Sequence, residues 1–75
     1  MAKIVFNLTL RNYVPEKEME YDLKEPIPLL AFLESQQVPA EEVGLVVRNG
    51  RWEAKSKCII YPDDTIELFP YLQGG

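Results

Sequence analysis

Hydrophobic and polar residues alternate over positions 3–10. Ile4, Phe6, Leu8 and Leu10 fall on one side, with Val5, Asn7 and Thr9 on the other. A two-residue period predicts a half-buried strand. Asn12 and Pro15 follow as turn and breaker signals. Alternation then resumes, with Met19, Tyr21 and Leu23 set against Glu18, Glu20 and Asp22. A link this short favours an antiparallel hairpin of the two strands. Pro26 and Pro28 end the second strand, because proline cannot donate to a ladder.

The period changes at Pro28. Leu29, Leu30, Phe32 and Leu33 form a wide apolar stripe, while Glu34, Gln36 and Gln37 are polar. That spacing predicts a helix from about 28 to 37, opened by a proline in its first turn and stopped by Pro39. Beyond it, "VGLVVRNGRWE" places Asn49-Gly50 between two extended runs. Both residues tolerate positive φ, so a type I′ hairpin is expected. "SKCII" reads as a short strand or extended piece. In "YPDDT", Pro62 presets φ and the aspartates can bond backbone amides. The last strand is "TIELFP", with Ile66 and Leu68 inward and Thr65, Glu67 and Phe69 outward. Pro70 ends it. The order β-β-α-β-β-β gives an α+β fold: a four- to five-stranded mixed sheet packed on one helix, entered by a right-handed crossover. Residues 1–75 are read as a single domain with a flexible tail at 71–75.

Composition narrows the chemistry. The 75 residues include no histidine and one cysteine, Cys58. A Ser-His-Asp or Cys-His pair is therefore absent, and a zinc or iron–sulfur site is not expected. Cys58 lies beside Ile59 and Ile60 and reads as a small hydrophobe; the alternative is a reactive thiol, with Lys57 as its one basic neighbour. Formal net charge is −4, which disfavours nucleic acid and anionic membranes as partners. The acids Glu16, Glu18, Glu20, Asp22, Glu41 and Glu42 are either solvated faces or a complement to a basic rim on another protein. The first residues lack the apolar run of a signal peptide, and the expected compartment is the cytoplasm.

The closing residues Pro70, Tyr71, Leu72, Gln73, Gly74 and Gly75 raise a separate question. Two glycines bury nothing and lose the most backbone entropy on ordering. They suit a thin segment that must enter another protein's active site with a reactive carboxylate at its tip. The element order, the Asn49-Gly50 hairpin, the Pro62-Asp63-Asp64 turn, "TIELFP" and Gly74-Gly75 together resemble the MoaD/ThiS family of ubiquitin-like β-grasp sulfur carriers. The segment "LFP" followed by Gly-Gly is nearer to the molybdopterin synthase small subunit than to the thiamine carrier. The resemblance implies that the Gly75 carboxylate, supported by Gly74, is adenylated by a ubiquitin-activating-type enzyme that uses ATP. A persulfide donor then supplies the sulfur of a thiocarboxylate, which a downstream synthase subunit consumes. It implies no cofactor bound to the chain and no catalytic group of its own. Phe69, Pro70, Tyr71, Leu72 and Gln73 are the expected partner-binding residues, Phe69, Tyr71 and Leu72 either as an apolar docking patch or folded back on the domain edge. Two other functions share the same ending: a ubiquitin-like modifier joined to target lysines through Gly75, and an interaction module whose tail is inert.

Overall fold

The structure, a computed structural model, describes residues 1–71. Five strands form a mixed sheet: β1 (Ala2–Phe6), β2 (Glu18–Tyr21), β4 (Val43–Arg48), β5 (Arg51–Glu53) and β7 (Thr65–Pro70). Their order is β2-β1-β7-β4-β5. The strand β7 is central, parallel to β1 and antiparallel to β4. One helix, α1 (Leu29–Ser35), supplies Leu29, Phe32 and Leu33 to the core. The fold is α+β with the β-grasp arrangement, as the residue pattern predicts. A second ladder pairs the two-residue strands β3 (Ile27–Pro28) and β6 (Ile59–Ile60), in register Ile27 to Ile60 and Pro28 to Ile59.

The register explains the core. Ile4 lies opposite Ile66, Phe6 opposite Leu68, and Leu68 opposite Val46. All five are buried and meet Leu29, Phe32 and Leu33. Burying a side chain of this size stabilises by about 1.5–3 kcal/mol. The Tyr21 ring meets Phe32 edge-on, with centroids 4.9 Å apart. The Tyr21 hydroxyl donates to Gln36 Oε1 at 3.1 Å, so this half-buried phenol keeps a partner.

Two expectations fail locally. The first strand ends at Phe6, not at residue 10. The Asn7 amide and the Asn7 side chain both donate to the Leu68 carbonyl at 3.0 Å, and the chain then winds through a 3-10 segment, Leu8–Tyr13. Leu8 takes φ +54° and is 63% exposed, whereas Leu10 returns to the core. A 3-10 turn repeats every three residues, so the two-residue alternation breaks. Leu30 is the second case: it is exposed, because the helix presents Leu29, Phe32 and Leu33 inward and Leu30 falls off that stripe.

The helix ends in a Schellman arrangement. Gln37 adopts φ +59° and donates to Glu34, while Val38 donates to the Leu33 carbonyl at 2.9 Å and is itself buried. At the other end Pro28 needs no donor, and the Leu29 amide reaches the Cys58 carbonyl at 2.9 Å. Among the described residues, no helix is long and apolar enough to cross a membrane.

Candidate functional site at the end of the central strand

Strand β7 brings Phe69 and Pro70 to one end of the sheet, and Tyr71 follows. Pro70 pairs with Val43 and Phe69 with Leu45, and the register shifts between those two β4 residues. Gly44 sits at that irregularity, the expected place for a residue without a side chain. Phe69 is half-buried, as is Leu45, and Tyr71 is 58% exposed. With Leu8, Gly44 and Pro70 these residues line a shallow, mainly apolar depression. Leu8 joins it because the 3-10 segment turns its side chain outward.

A more polar groove adjoins this depression, lined in part by Thr9, Asn12, Tyr13, Glu41 and Glu42. The Tyr13 hydroxyl donates to Glu42 Oε1 at 3.1 Å. That hydrogen bond, with burial and the negative charges of Glu42 and Glu41, raises the Tyr13 pKa above its usual value. Glu41 and Glu42 therefore stand beside the candidate site. Glu18 and Glu20 lie instead on β2, the far edge strand, where the Lys3 ammonium is 3.6 Å from Glu18. The sequence treats these acids alike; the topology separates them.

Of the partner-binding residues read from the sequence, Phe69, Pro70 and Tyr71 come together in this depression. Leu72, Gln73, Gly74 and Gly75 lie outside the described residues. Two residues that the sequence alone does not single out also belong here. A Cβ added at Gly44 would lie 2.9 Å from the Tyr71 nitrogen, Cα and Cδ1. Lys55 places its ammonium 5.5 Å from the centre of the Tyr71 ring. The same ammonium donates to the carbonyls of Ala40 (2.7 Å) and Val43 (2.9 Å). A glycine at the start of an apolar strand is the available sequence signal for the first; nothing in the sequence marks the second.

The opposite end of β4 and β7 holds the strongest polar cluster. The Arg48 guanidinium donates to Glu53 at 2.7 Å and to Asp64 at 3.2 Å. Asp64 is 7% exposed and also accepts from the Asn49 side chain (2.8 Å) and the Tyr61 amide (2.9 Å). Burial alone would raise the Asp64 carboxyl. The Tyr61 amide, Asn49 and Arg48 outweigh it and hold the carboxyl below its usual range. The Arg48 hydrogen bond lowers Glu53 as well. Every member of this cluster is paired within it, so it reads as a lock and not as a reactive centre.

Cys58 is buried beside the lock. Burial, then the Glu53 charge, pushes its thiol up to about 11, so at neutral pH it is a protonated apolar side chain. Trp52 is 72% exposed on the edge strand β5. Among the described residues, no three His, Cys, Asp or Glu side chains converge as metal ligands.

Compared with known proteins, no family model matches the chain, and no curated protein matches it. The functional reading therefore rests on the residues and their geometry.

Proposed function

We propose that the protein is a sulfur carrier whose working group is the carboxylate of Gly75. The reading rests above all on one placement: β7, hydrogen-bonded on both sides, leads into the Gly-Gly segment through an apolar depression at its end. A strand buried between two neighbours gives a rigid root. Two glycines at the far end of the segment give a tip thin enough for a partner's active site. Phe69, Leu45 and the exposed Leu8 and Tyr71 offer apolar surface around that root, the composition of an interface core.

In this reading a ubiquitin-activating-type enzyme binds the depression and ATP together. A carboxylate oxygen of Gly75 attacks the α-phosphorus of ATP, and pyrophosphate leaves. The terminal sulfur of a persulfide donor then attacks the carbonyl carbon and AMP leaves, giving an acyl disulfide; a thiol attacks the donor-side sulfur, forms a disulfide with it and releases the thiocarboxylate. Sulfur there is ionised near neutral pH and is a stronger nucleophile than oxygen. A downstream synthase subunit accepts it, by resemblance in molybdopterin formation. Such a carrier works in the cytoplasm and brings no catalytic group of its own.

The test incubates the purified chain with an adenylating enzyme of this class, ATP and a persulfide donor, and reads intact mass. The expected product is heavier by one sulfur-for-oxygen exchange, confined to Gly75 on fragmentation. Covalent adducts on lysines of other proteins in cell extract favour a modifier instead. No change under either condition removes the proposal.

A further inference from the structure

Tyr71 is the last residue before the Gly-Gly segment's final four, and its surroundings are more specific than an exposed aromatic needs. Beneath it, Gly44 leaves a notch: a Cβ there would stand 2.9 Å from two backbone atoms of Tyr71 and from its ring. The Gly44 backbone does not take a positive φ, so a side chain is excluded here by space and not by backbone conformation. Above it, the Lys55 ammonium faces the ring at 5.5 Å, within the range of a cation–π contact. Lys55 is not free to wander. Its bonds to the carbonyl oxygens of Ala40 and Val43 tie it to the segment that enters β4. Two of its three donors are thereby committed.

We infer that Gly44 and Lys55 are positioning residues that seat Tyr71, so that the segment carrying Gly75 starts from a fixed root. The notch admits the backbone of Tyr71 and the ammonium holds its ring. Gly44 belongs to β4, the strand that already pairs with β7, and Lys55, from the 3-10 segment after β5, is tied to the entry of β4, so the root is fixed relative to the docking depression. A partner that binds the depression then receives the following residues from one defined point. Without the seat, the number of residues between Tyr71 and Gly75 is unchanged, but the starting position is not fixed. Displacements of about 1 Å at a reacting group can lower rates by up to a hundredfold. This inference rests on the sulfur-carrier reading for its purpose, not for its geometry.

The test has two readouts. The first is the backbone heteronuclear NOE of the Tyr71 amide in the isotope-labelled full chain, relative to that of Leu68. Seating predicts near-equal values in the wild type. Gly44→Ala and Lys55→Met should lower the Tyr71 value alone, and Lys55→Arg should restore most of it. Gly50→Ala, in the distant hairpin, should leave it unchanged. The second readout is adenylation kinetics with the activating enzyme. Lys55→Met, which replaces no residue lining the depression, should lower kcat about tenfold with KM changed by less than about twofold, because Leu8, Gly44, Leu45, Phe69 and Pro70 still form the docking surface while the tip is misplaced. Merely weakened folding would alter neither below the melting temperature.

A low Tyr71 value already in the wild type, or no fall in Gly44→Ala and Lys55→Met, overturns the seat. A fall in the Tyr71 value with kcat intact overturns its positioning role. Failure of the wild type to be adenylated counts against the sulfur-carrier reading, and the NOE series still decides the seat by itself. Should Gly44→Ala fold poorly, Lys55→Met reads the same contact from the other side.

Discussion

Strands β4 and β7 run side by side, and the two ends of their ladder are held by opposite chemistry. At the Arg48 end, a buried carboxylate gathers a guanidinium, a side-chain amide and a backbone amide. Among the described residues, the Gly44 end holds no such side-chain network: a missing side chain, a lysine over a ring and half-buried apolar residues define the surface. Closed polar networks fix a turn in one place, because each group left unpaired in a low dielectric is costly. Apolar depressions with exposed aromatics leave area to be covered by something else. In the sulfur-carrier reading, one end stays shut and the other is where a partner docks.

The largest expected effect breaks the closed end. Asp64→Ala removes the acceptor of the Asn49 side-chain amide and of the Tyr61 backbone amide, and leaves Arg48 with Glu53 alone. Removing one partner of a buried charged network costs about 3 kcal/mol. At roughly 4–8 °C per kcal/mol for a chain of this size, the melting temperature read by circular dichroism should fall by more than about 10 °C. A fall of a few degrees or less would show that water replaces these bonds and that the two ends are alike. The acid limb of the stability curve sharpens the point. Asp64 and Glu53 are both held below their usual range, so each contributes stability that is present at neutral pH. It is lost as pH falls from about 4 through the lower folded values. Asp64→Asn removes one titrating group, so its unfolding free energy should vary less between about pH 4 and pH 2 than the wild type's.

This lock shows where the sequence was legible. Alternation located β1, β2 and β7 because one face of each packs toward the core, and that constraint is local. Asn49-Gly50 was readable for the same reason: φ +51° and +81° are demanded by the turn itself. The partners of Asp64 were not readable. They arrive from β4 and from the turn before β7, and only the topology brings them together. The aspartate pair in "YPDDT" signals amide bonding, yet Asp64 alone performs it; Asp63 is exposed. Leu8 misled for a different reason: Asn7 takes the Leu68 carbonyl and turns the chain, a long-range contact that no alternation encodes. At the candidate site, Phe69, Pro70 and Tyr71 were found from their place in the sequence. Gly44 and Lys55 were not, since their role is to touch Tyr71.

The two glycines of β4 and its hairpin divide the comparison more finely. Gly50 holds φ +81°, and a side-chain carbon added there would meet nothing within 4 Å, so Gly50→Ala is resisted by backbone conformation alone. A left-handed non-glycine residue costs about 1–2 kcal/mol. Thermal unfolding should register that as a loss smaller than Asp64→Ala and without change in the residues around Tyr71. A loss as large as that of Asp64→Ala would mean that the hairpin and the lock come apart together.

Gly44→Ala should cost least in stability, although its new methyl meets backbone at 2.9 Å. Overpacking in a closed core costs about 1–3 kcal/mol because nothing can move away. Here the obstructed residue is Tyr71, which follows the last paired residue of β7 and is exposed over most of its surface. It can lift from the notch at the expense of one cation–π contact, about 0.5–1 kcal/mol at an exposed site. Denaturant unfolding should therefore give a change below about 1 kcal/mol, with an unchanged m-value. A larger change would mean that Tyr71 closes the core from this end, and the distinction between a shut end and an open one would not hold.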